Sequence, residues 1–441
     1  MRFLPCQLSQ QAALEEIEER QLELLQAHLQ YLQRRSPYYQ RLFAARDFAP
    51  DQLTSMDQLH TLPLTGKAEL ATSNRDFLAV GEDEVVDICV TSGTTGEPVT
   101  LWQTETDLQR LAENERQAFV AAGITRHHRV LIGAALDRGF MAGLAYFLGL
   151  REIGATIIRA GSSSLEFLAE TLKRQRPDVL VGVPSLFLTL ARHLQRSGTD
   201  CTTLGVDKLI CIGEPVRNPD LTLSPLGSSL AEYWSSQVLG TYAATEIATA
   251  FGDCEQGCGG HLLPELAVVE IIDEKGQLLG AGQVGEVVVT PLGVTGAPLL
   301  RYRTGDMAVL FDQSCACGRQ TPRLGPILGR REQLLKCRGT SLFPATIAHA
   351  LHSIAAIQGH YIEVYPEHDL ADEVKVVVGC TDPTLTADQI SARIAALTRV
   401  KLAVTICSPA EILRKTVRPE RRKPIIFFDY RPAHQQQKES L

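Results

Sequence analysis

The first apolar pattern along the chain has helical spacing. From Gln10 to Arg34, apolar residues recur at roughly helical intervals among many Glu and Gln residues, which predicts an amphipathic surface helix. Two connections marked by proline follow, Ser36 to Tyr39 and Leu62 to Lys67. Lys67 is expected to be a solvated surface lysine, with a role in an active site as the alternative.

Further along, short apolar runs alternate with segments of helical spacing. The run Val85 to Val90 predicts a buried strand that ends at a turn. Later runs predict strands at Arg129–Ala134, Thr156–Ile158, Val179–Val183 and Lys208–Ile212, and helices at Thr106–Ala122, Met141–Ile153, Ser164–Arg174 and Pro184–Leu194. Strands separated by helices predict crossover connections, a parallel sheet and an α/β fold.

Loops at the carboxyl ends of these strands are the candidate binding region. Ligands of open parallel sheets bind beyond the carboxyl ends of the strands. Three loops are expected there: the stretch that begins at Thr91, the turn Gly213 to Pro215, and the segment Thr241 to Glu246. We therefore expect them to converge on one crevice, although the strand order cannot be read from the sequence.

The last quarter of the chain has the pattern of a separate module. Ile362 to Tyr365 and Val374 to Gly379 are predicted strands, and Thr386 to Leu397 is a predicted helix. A module of about a hundred residues is within the usual size of a domain. The sequence therefore predicts a large domain followed by a small α+β domain at the end of the chain.

Composition narrows the class of protein. The 441 residues are 44% hydrophobic and 21% charged, which is ordinary for a globular protein. A net charge of -8 offers no electrostatic footprint for nucleic acid. Because no signal peptide and no membrane-spanning stretch can be recognised, the cytoplasm is the expected location. The odd number of cysteines, 11, argues against a secreted disulfide framework and favours reduced thiols.

The stretch Thr91 to Pro98 has the composition of a phosphate-binding loop. Its glycines let the backbone approach a ligand, and its hydroxyls can donate to anionic oxygens without adding charge. The predicted loop comprises Thr91, Ser92, Gly93, Thr94, Thr95 and Gly96. It is not a Walker loop, because its glycines are too close together and Glu97 rather than lysine follows them. A flexible connector is the alternative.

Two later stretches carry polar groups suited to a nucleotide. In Gly240 to Glu246, Tyr242 could stack on a flat base, and the carboxylate of Glu246 could hold a magnesium ion. In Leu300 to Asp306, Asp306 could accept hydrogen bonds from vicinal sugar hydroxyls. The alternatives are an incidental Glu at a strand end and an Asp that caps a turn.

Taken in order, the strings TSGTTGEP, GEP, YAATE, YRTGD and GRREQLLKCRG resemble the adenylate-forming superfamily of acyl-CoA ligases and related adenylation enzymes. Within that superfamily, the segment SPYY, the short GEP turn, the late CACGR and the short chain are similar to the phenylacetate-CoA ligase branch. The resemblance covers about Ser36 to Asp429. It implies a large N-terminal domain over residues 1–329 that binds ATP and the acid, a hinge at 330–332 that includes Glu332, and a small mobile C-terminal lid over 333–441.

The resemblance also implies roles for individual residues. The loop Thr91 to Gly96 would bind the β- and γ-phosphates and Glu246 would bind magnesium. The adenine would lie beside Gly213, Glu214, Pro215 and Tyr242, and the ribose would be held by Asp306 with help from Arg330. Phe140 and Gly143 would line the acid pocket, and Lys67 is a further substrate candidate. On the sequence alone, an apolar helix start is the alternative for Phe140 and Gly143.

The residues expected to act in catalysis are Lys423, Glu246 and Thr245. In the family, a lysine just before the last strand reaches the reacting carboxylate and the α-phosphate. Counting back from Asp429 gives Lys423. A solvated basic run is the alternative, because several arginines lie close by.

The chain departs from the family pattern at four positions. Arg422 stands where a glycine usually precedes the lysine, and Pro424 follows it. Glu97 replaces a lysine at the end of the phosphate loop, and Glu332 replaces an aspartate at the hinge. Glu97 adds a negative charge near a triphosphate, which is expected to weaken ATP binding.

The implied reaction has two steps. The carboxylate of a small acid attacks the α-phosphorus of ATP, while magnesium and Lys423 offset the charge of the two anions. The lid then rotates and admits the thiol of coenzyme A to the acyl-adenylate. Phenylacetate is the family default for the acid, and a homodimer is common in the branch. The alternatives are an adenylating enzyme with another acceptor (a carrier protein, a protein cysteine or a cofactor), and a nucleotide-binding pseudoenzyme.

Two clusters of cysteines favour a structural metal site. Cys254, Cys258 and His261 lie close together, as do Cys315 and Cys317, and thiolates with one imidazole suit tetrahedral zinc. Five ligands are offered where four are needed. Members of the resembled branch have a pattern that selects Cys254, His261, Cys315 and Cys317. Free buried thiols or a redox pair are the alternatives.

Overall fold

A computed structural model describes residue 8 and residues 12–91, 99–161, 163–337, 340–354, 356–366, 372–418 and 424–431. The chain divides into two compact units, residues 1–327 and residues 328–441. Within the described residues, each helix is too short or too polar to cross a membrane.

The first unit contains helices and strands in alternation over most of its length. Its helices are α1 (Leu14–Arg35), α2 (Pro37–Ala45), α3 (Lys67–Thr72), α4 (Glu105–Ala121), α5 (Met141–Ile153), α6 (Leu165–Gln175), α7 (Pro184–Arg196) and α8 (Pro225–Trp234). Its strands are β1 (Val85–Val90), β2 (Thr100–Thr104), β3 (Arg129–Ile132), β4 (Thr156–Arg159), β5 (Val179–Gly182), β6 (Lys208–Ile212), β7 (Gln237–Ala244), β8 (Thr249–Gly252), β9 (Gly260–His261), β10 (Ala267–Ile272), β11 (Val284–Pro291), β12 (Tyr302–Phe311) and β13 (Arg323–Leu324). The α/β fold predicted from the alternation is confirmed.

A largely parallel sheet organises the first unit. Its order is β4-β3-β5-β6-β7-β8, and β8 alone of these strands runs antiparallel to its neighbour. The chain goes from β3 to β4 and then returns to the other side of β3 with β5. The strand order therefore reverses between β3 and β5, and ligands of such sheets bind beside the point of reversal.

The predicted buried strand Val85 to Val90 does not belong to this sheet. It is β1, which pairs antiparallel with β2 in a hairpin. Val86, Ile88 and Val90 are 54%, 50% and 38% exposed, so the prediction that this strand is buried is wrong. A short apolar run carries no signal that separates a core strand from a hairpin strand with one solvent-facing side.

An antiparallel sheet and the N-terminal helices complete the first unit. The sheet has the order β10-β11-β12-β13-β9. The side chain of Tyr39 is fully buried in α2, and its hydroxyl accepts a hydrogen bond from the N–H of Leu300 at 2.8 Å. The SPYY segment is therefore an anchor between the N-terminal helices and the segment that leads into β12.

The second unit is an α+β module with its own core. Its strands are β14 (Gly329–Arg330), β15 (Leu335–Cys337), β16 (Thr340–Leu342), β17 (Ile357–Pro366), β18 (Asp372–Cys380), β19 (Ala403–Cys407) and β20 (Phe427–Asp429), and its helices are α9 (Pro344–His352), α10 (Ala387–Thr398) and α11 (Pro409–Thr416). The main sheet has the order β19-β18-β17-β20. Aliphatic residues of β17 and β18 pack with residues of α9 and α10. The two strands predicted in this region lie within β17 and β18, and the predicted helix is shifted by one residue from α10.

Candidate active site

Two of the predicted binding segments lie side by side at the carboxyl edge of the parallel sheet. The strands β6 and β7 are neighbours, with Lys208 opposite Gln237 and Ile212 opposite Thr241. Gly213 leaves β6 with a positive φ of 76°, which favours glycine. The turn Gly213 to Pro215 therefore lies next to the end of β7, where Thr245 and the half-buried Glu246 follow.

The carboxylate of Glu214 binds the start of the neighbouring helix. Its Oε2 accepts from the N–H of Ser185 at 3.0 Å, and its Oε1 accepts from the Ser185 hydroxyl at 2.8 Å. Ser185 lies in the first turn of α7, where unpaired N–H groups favour a negative partner. The Glu214 side chain thus fixes the turn, which leaves the backbone of the turn as the surface suited to a base.

The strings YAATE and YRTGD meet through a side-chain hydrogen bond. The hydroxyl of Tyr242 donates to Oδ2 of Asp306 at 2.9 Å. Asp306 is only 6% exposed, and its own N–H donates to the hydroxyl of Thr304 at 3.1 Å. A buried carboxylate beside an aromatic ring can bind a polar, flat ligand with hydroxyl groups.

The connection that carries Lys67 is fixed to the start of β12. The N–H of Thr65 donates to the carbonyl of Arg301 at 3.1 Å, and the N–H of Arg303 donates to the carbonyl of Thr65 at 2.8 Å. Lys67 begins α3 and is half-buried. Lys67 therefore lies two residues after Thr65, which is paired with the start of β12.

The two acid-pocket candidates occupy the start of α5. Phe140 is half-buried at the N-cap position and packs against the core between α4, α5 and the sheet. Gly143 is buried, and a Cβ at this position would lie 2.1 Å from the carbonyl oxygen of Ala135. Glycine is therefore required here by the close approach of α5 to the loop after β3.

Most of the predicted phosphate loop lies outside the described residues. This applies to Ser92, Gly93, Thr94, Thr95 and Gly96, and in the second unit to Lys423. Thr91 is described, and its hydroxyl accepts a hydrogen bond from the N–H of Val99 at 3.0 Å across the neck of the β1–β2 hairpin.

The neck of this hairpin lies beside the point where the strand order reverses. The N–H of Val90 donates to the carbonyl of Gly139 at 3.0 Å, and Gly139 lies in the loop between β3 and α5. This pairing, rather than a place in the parallel sheet, brings Thr91 to the carboxyl edge of the sheet.

The predicted metal ligands form a compact cluster. The ligand atoms of Cys254, His261, Cys315 and Cys317 all lie within 4.8 Å of one another. Two sulfurs, of Cys254 and Cys315, are 3.7 Å apart, and the Cys317 sulfur is 3.4 Å from Nε2 of His261. Around tetrahedral zinc, these separations would be about 3.8 Å and about 3.6 Å. The residues therefore fit a zinc ion.

The surroundings of the cluster also suit a metal. Nδ1 of His261 lies 3.1 Å from the hydroxyl of Thr321, the kind of partner that orients a metal-bound imidazole. The two halves of the cluster meet because β9 pairs with β13, with His261 opposite Arg323. Cys258, the fifth candidate, has its sulfur 3.3 Å from that of Cys315.

A buried ion pair next to the cluster was not anticipated from the sequence. Oδ2 of Asp253 accepts from Nε of Arg217 at 2.8 Å and from the N–H of Gly240 at 2.8 Å, and Oδ1 accepts from the N–H of Gly259 at 2.9 Å. Asp253 thus joins the cysteine loop to β7 and to the segment after the GEP turn. The position of Asp253, directly before the predicted metal ligand Cys254, was a sequence signal for a structural role. Its partner Arg217 is 36 residues away, so the pair could not be recognised from the sequence.

Arg110 on α4 is a second residue that the sequence did not single out. Its guanidinium is fully buried and donates to the carbonyls of Leu292, Ala248 and Leu266 and to the hydroxyl of Thr249. It therefore holds the turn that follows Glu246. An arginine within an amphipathic helix gives no sign in the sequence that it is buried.

In the second unit, the hinge candidates lie near its start. Arg330 is an exposed residue of β14, and Glu332 is exposed in a short helical turn. The carbonyl of Glu332 accepts from Nη2 of Arg431 at 3.3 Å, and Nη1 of Arg431 pairs with Asp372 at 3.1 Å. Glu332 is thus attached to the body of the second unit through its backbone.

Comparisons with known proteins place this geometry in context. The family model described as AMP-binding enzyme matches residues 13–296. Phenylacetate-coenzyme A ligase of Thermus thermophilus is 29% identical over 374 residues, which are 82% of this chain and 81% of that protein. Phenylacetate-coenzyme A ligase of Pseudomonas putida is 30% identical over 373 residues, which are 83% of this chain and 82% of that protein.

A solved structure shares the fold over almost the whole chain. A crystal structure of 2-hydroxyisobutyryl-CoA ligase, in the postadenylation state in complex with R3-HIB-AMP, superimposes with a TM-score of 0.84. The match covers 99% of this chain and 96% of that one, at 21% identity. At this level of identity, the likeness is evidence for the fold alone.

Proposed function

We propose, from the premise that this chain belongs to the AMP-binding enzyme family and to its phenylacetate-CoA ligase-like branch, that it activates a small aromatic carboxylic acid with ATP and transfers the acyl group to coenzyme A. The match to the family model and the two phenylacetate-coenzyme A ligases confirm the resemblance that the motifs indicated. The observation that carries the proposal is the contact between Tyr242 and Asp306, because it joins two motifs at the carboxyl edge of the sheet.

The nucleotide would occupy the edge formed by β6, β7 and β12. The adenine would lie between the turn Gly213 to Pro215 and the ring of Tyr242. Asp306 would accept hydrogen bonds from the ribose hydroxyls, since its carboxylate can receive several donors. The phosphates would extend towards the β1–β2 hairpin, whose neck is held at Gly139.

The first step must overcome repulsion between two anions. The acid carboxylate attacks the α-phosphorus, and pyrophosphate leaves. Glu246, at the end of β7, is the proposed ligand of a magnesium ion, which supplies positive charge beside the phosphates. Thr245, next to Glu246, would help to orient the phosphates. Lys423 is the proposed lysine that reaches the reacting carboxylate and the α-phosphate.

The cysteine cluster would have a structural rather than a catalytic role. Four protein ligands would close the coordination shell of a zinc ion and leave no position for water or substrate. The ion would tie the loop between Cys254 and His261 to the turn that holds Cys315 and Cys317. The homodimer common in the branch stays a prediction, which analytical ultracentrifugation would test.

The test is acid-dependent exchange of pyrophosphate into ATP. Wild-type protein should support exchange with at least one small aryl or aliphatic acid, and Glu246→Gln should lower it by at least about 100-fold. Glu232→Gln, an exposed substitution on α8, is the matched control and should leave exchange unchanged. Absence of exchange with every acid, in protein that binds ATP, would refute the proposed adenylation.

The acceptor is tested separately. Mass spectrometry of the products should detect an acyl-coenzyme A thioester when coenzyme A is added to the exchange mixture. Exchange without a thioester, together with acyl transfer to a carrier protein, would establish adenylation and refute coenzyme A as the acceptor.

A further inference from the structure

A small cavity lies inside the first unit, between the helices and the parallel sheet. Residues of α4, α5, β6, β7 and β8 line it, among them Glu115, Phe119, Tyr146, Ile210 and Thr241. Its volume is about 10 Å³, which is room for about one water molecule. Apart from Glu115 and Asp253, most of the lining is apolar or small.

Glu115 is the unusual member of this lining. The residue is only 4% exposed. Among the described residues, no hydrogen bond or ion pair involves its carboxyl group, and burial is the only cause of its shifted pKa. Its neighbour Glu113, by contrast, pairs with Arg116 at 2.7 Å. Burial raises the pKa of Glu115 to about 8, because the charged form loses its hydration. A buried carboxyl group without a hydrogen-bond partner is unfavourable, because it has lost its contacts with water and gained none in exchange.

The close packing of two helices holds Glu115 at this place. A Cβ on Gly149 of α5 would lie 2.4 Å from the Cβ of Glu115, so only glycine permits the observed approach. Gly252 makes room for the side chain of Thr241 in the same way, since a Cβ at position 252 would lie 2.9 Å from the Thr241 hydroxyl oxygen. The helices therefore keep the Glu115 carboxyl group at the cavity instead of letting it reach solvent.

The cavity lies beneath the proposed acid site. Thr241 lines it, and Ala243, two residues further along β7, is on the same face of the strand and is exposed at the strand end. Two residues of a strand span about 7 Å. On α5, Tyr146 lines the cavity one turn beyond Gly143. The same two elements thus lead from the strand end, where the acid would react, down to Glu115.

We propose that Glu115 is a specificity-determining residue and that the preferred acid carries a hydrogen-bond donor, an amino or hydroxyl group, on the side of the ring opposite its carboxylate. The inference rests on the proposed function, because it assumes that the acid enters beside α5 and β7. The donor enters the cavity, which has room for a group about the size of one water molecule, and donates to the Glu115 carboxyl group. An unsubstituted ring leaves that carboxyl group without a partner, so it binds less well.

The experiment compares phenylacetate with its 4-amino and 4-hydroxy derivatives in pyrophosphate exchange. For wild-type protein, kcat/KM should be at least about tenfold higher with a derivative than with phenylacetate. Glu115→Met, which keeps an unbranched side chain of similar length, should reverse this preference. Glu105→Gln, an exposed substitution on the same helix, should keep the wild-type preference.

The outcomes separate this inference from the proposed function. Exchange with phenylacetate that equals or exceeds exchange with both derivatives would overturn the role of Glu115 but leave adenylation standing. Exchange with no acid would refute adenylation itself and this inference with it. If Glu115→Met does not fold, Glu115→Gln serves instead, since it keeps the volume. Glu115→Gln is expected to lower the wild-type preference for the derivatives by at least about threefold. A preference that stays unchanged in this variant would also overturn the role of Glu115.

Discussion

The buried ion pair between Arg301 and Glu270 allows a quantitative prediction. Nε and Nη2 of Arg301 each donate to one carboxylate oxygen of Glu270 at 2.9 Å, and both side chains are less than a tenth exposed. Nη1 donates to the carbonyls of His60 and Leu62. Arg301 therefore joins β10, β12 and the connection that leads to Lys67.

Arg301→Met removes one partner and leaves the carboxylate of Glu270 buried without a counter-charge. Such a change costs about 3–5 kcal/mol. For the 327 residues of the first unit, the entropy of unfolding is about 0.7 kcal/mol/K, so a loss of about 4 kcal/mol lowers the melting temperature by about 6 °C. Methionine is chosen because the φ of Arg301 is 45°, where a branched side chain would add backbone strain.

Thermal unfolding followed by circular dichroism checks this value. The double variant Arg301→Met with Glu270→Met should recover most of the loss, because no unpaired charge remains. The control is Arg41→Met, which breaks the exposed pair with Asp76 and should lower the melting temperature by about 1 °C or less. If Arg301→Met melts within about 1 °C of wild type, or if the double variant is no more stable than the single one, the reasoning is refuted.

Three further predictions concern the site, the cluster and pH. Tyr242→Phe removes the hydrogen bond to the buried Asp306 and should raise KM for ATP by about tenfold or more, whereas an unchanged KM in ATP titrations would contradict the role of this contact. Cys317→Ser should lower the zinc content measured by mass spectrometry from one ion per chain to a small fraction, while Cys201→Ser, outside the cluster, should retain it. In the second unit, burial lowers the pKa of His360 to about 4. Since the unfolded chain binds this proton from about pH 6.5 downwards, the free energy of unfolding should fall by up to about 3 kcal/mol between pH 6.5 and pH 4, and His360→Leu should show less of this fall in denaturant titrations.

Local sequence patterns were sufficient to predict many of the helices and strands and to identify the family. The predicted strand Lys208 to Ile212 matches β6, and the predicted helix Thr106 to Ala122 differs from α4 by one residue at each end. Such elements follow from the period of apolar residues, which is local information. The ordered motifs likewise identified the adenylate-forming family, because backbone turns and charged groups at a nucleotide site require particular residues at short spacing.

Contacts between distant segments were decided by the tertiary structure alone. The sequence contains no sign that β1 leaves the parallel sheet, that the strand order reverses between β3 and β5, or that Tyr242 reaches Asp306. It also gives no sign that Glu115 is buried without a partner while Glu113 is paired. Strand pairing and burial depend on which distant surfaces cover each other, and the free energy of that choice is shared among many residues, so no local period records it.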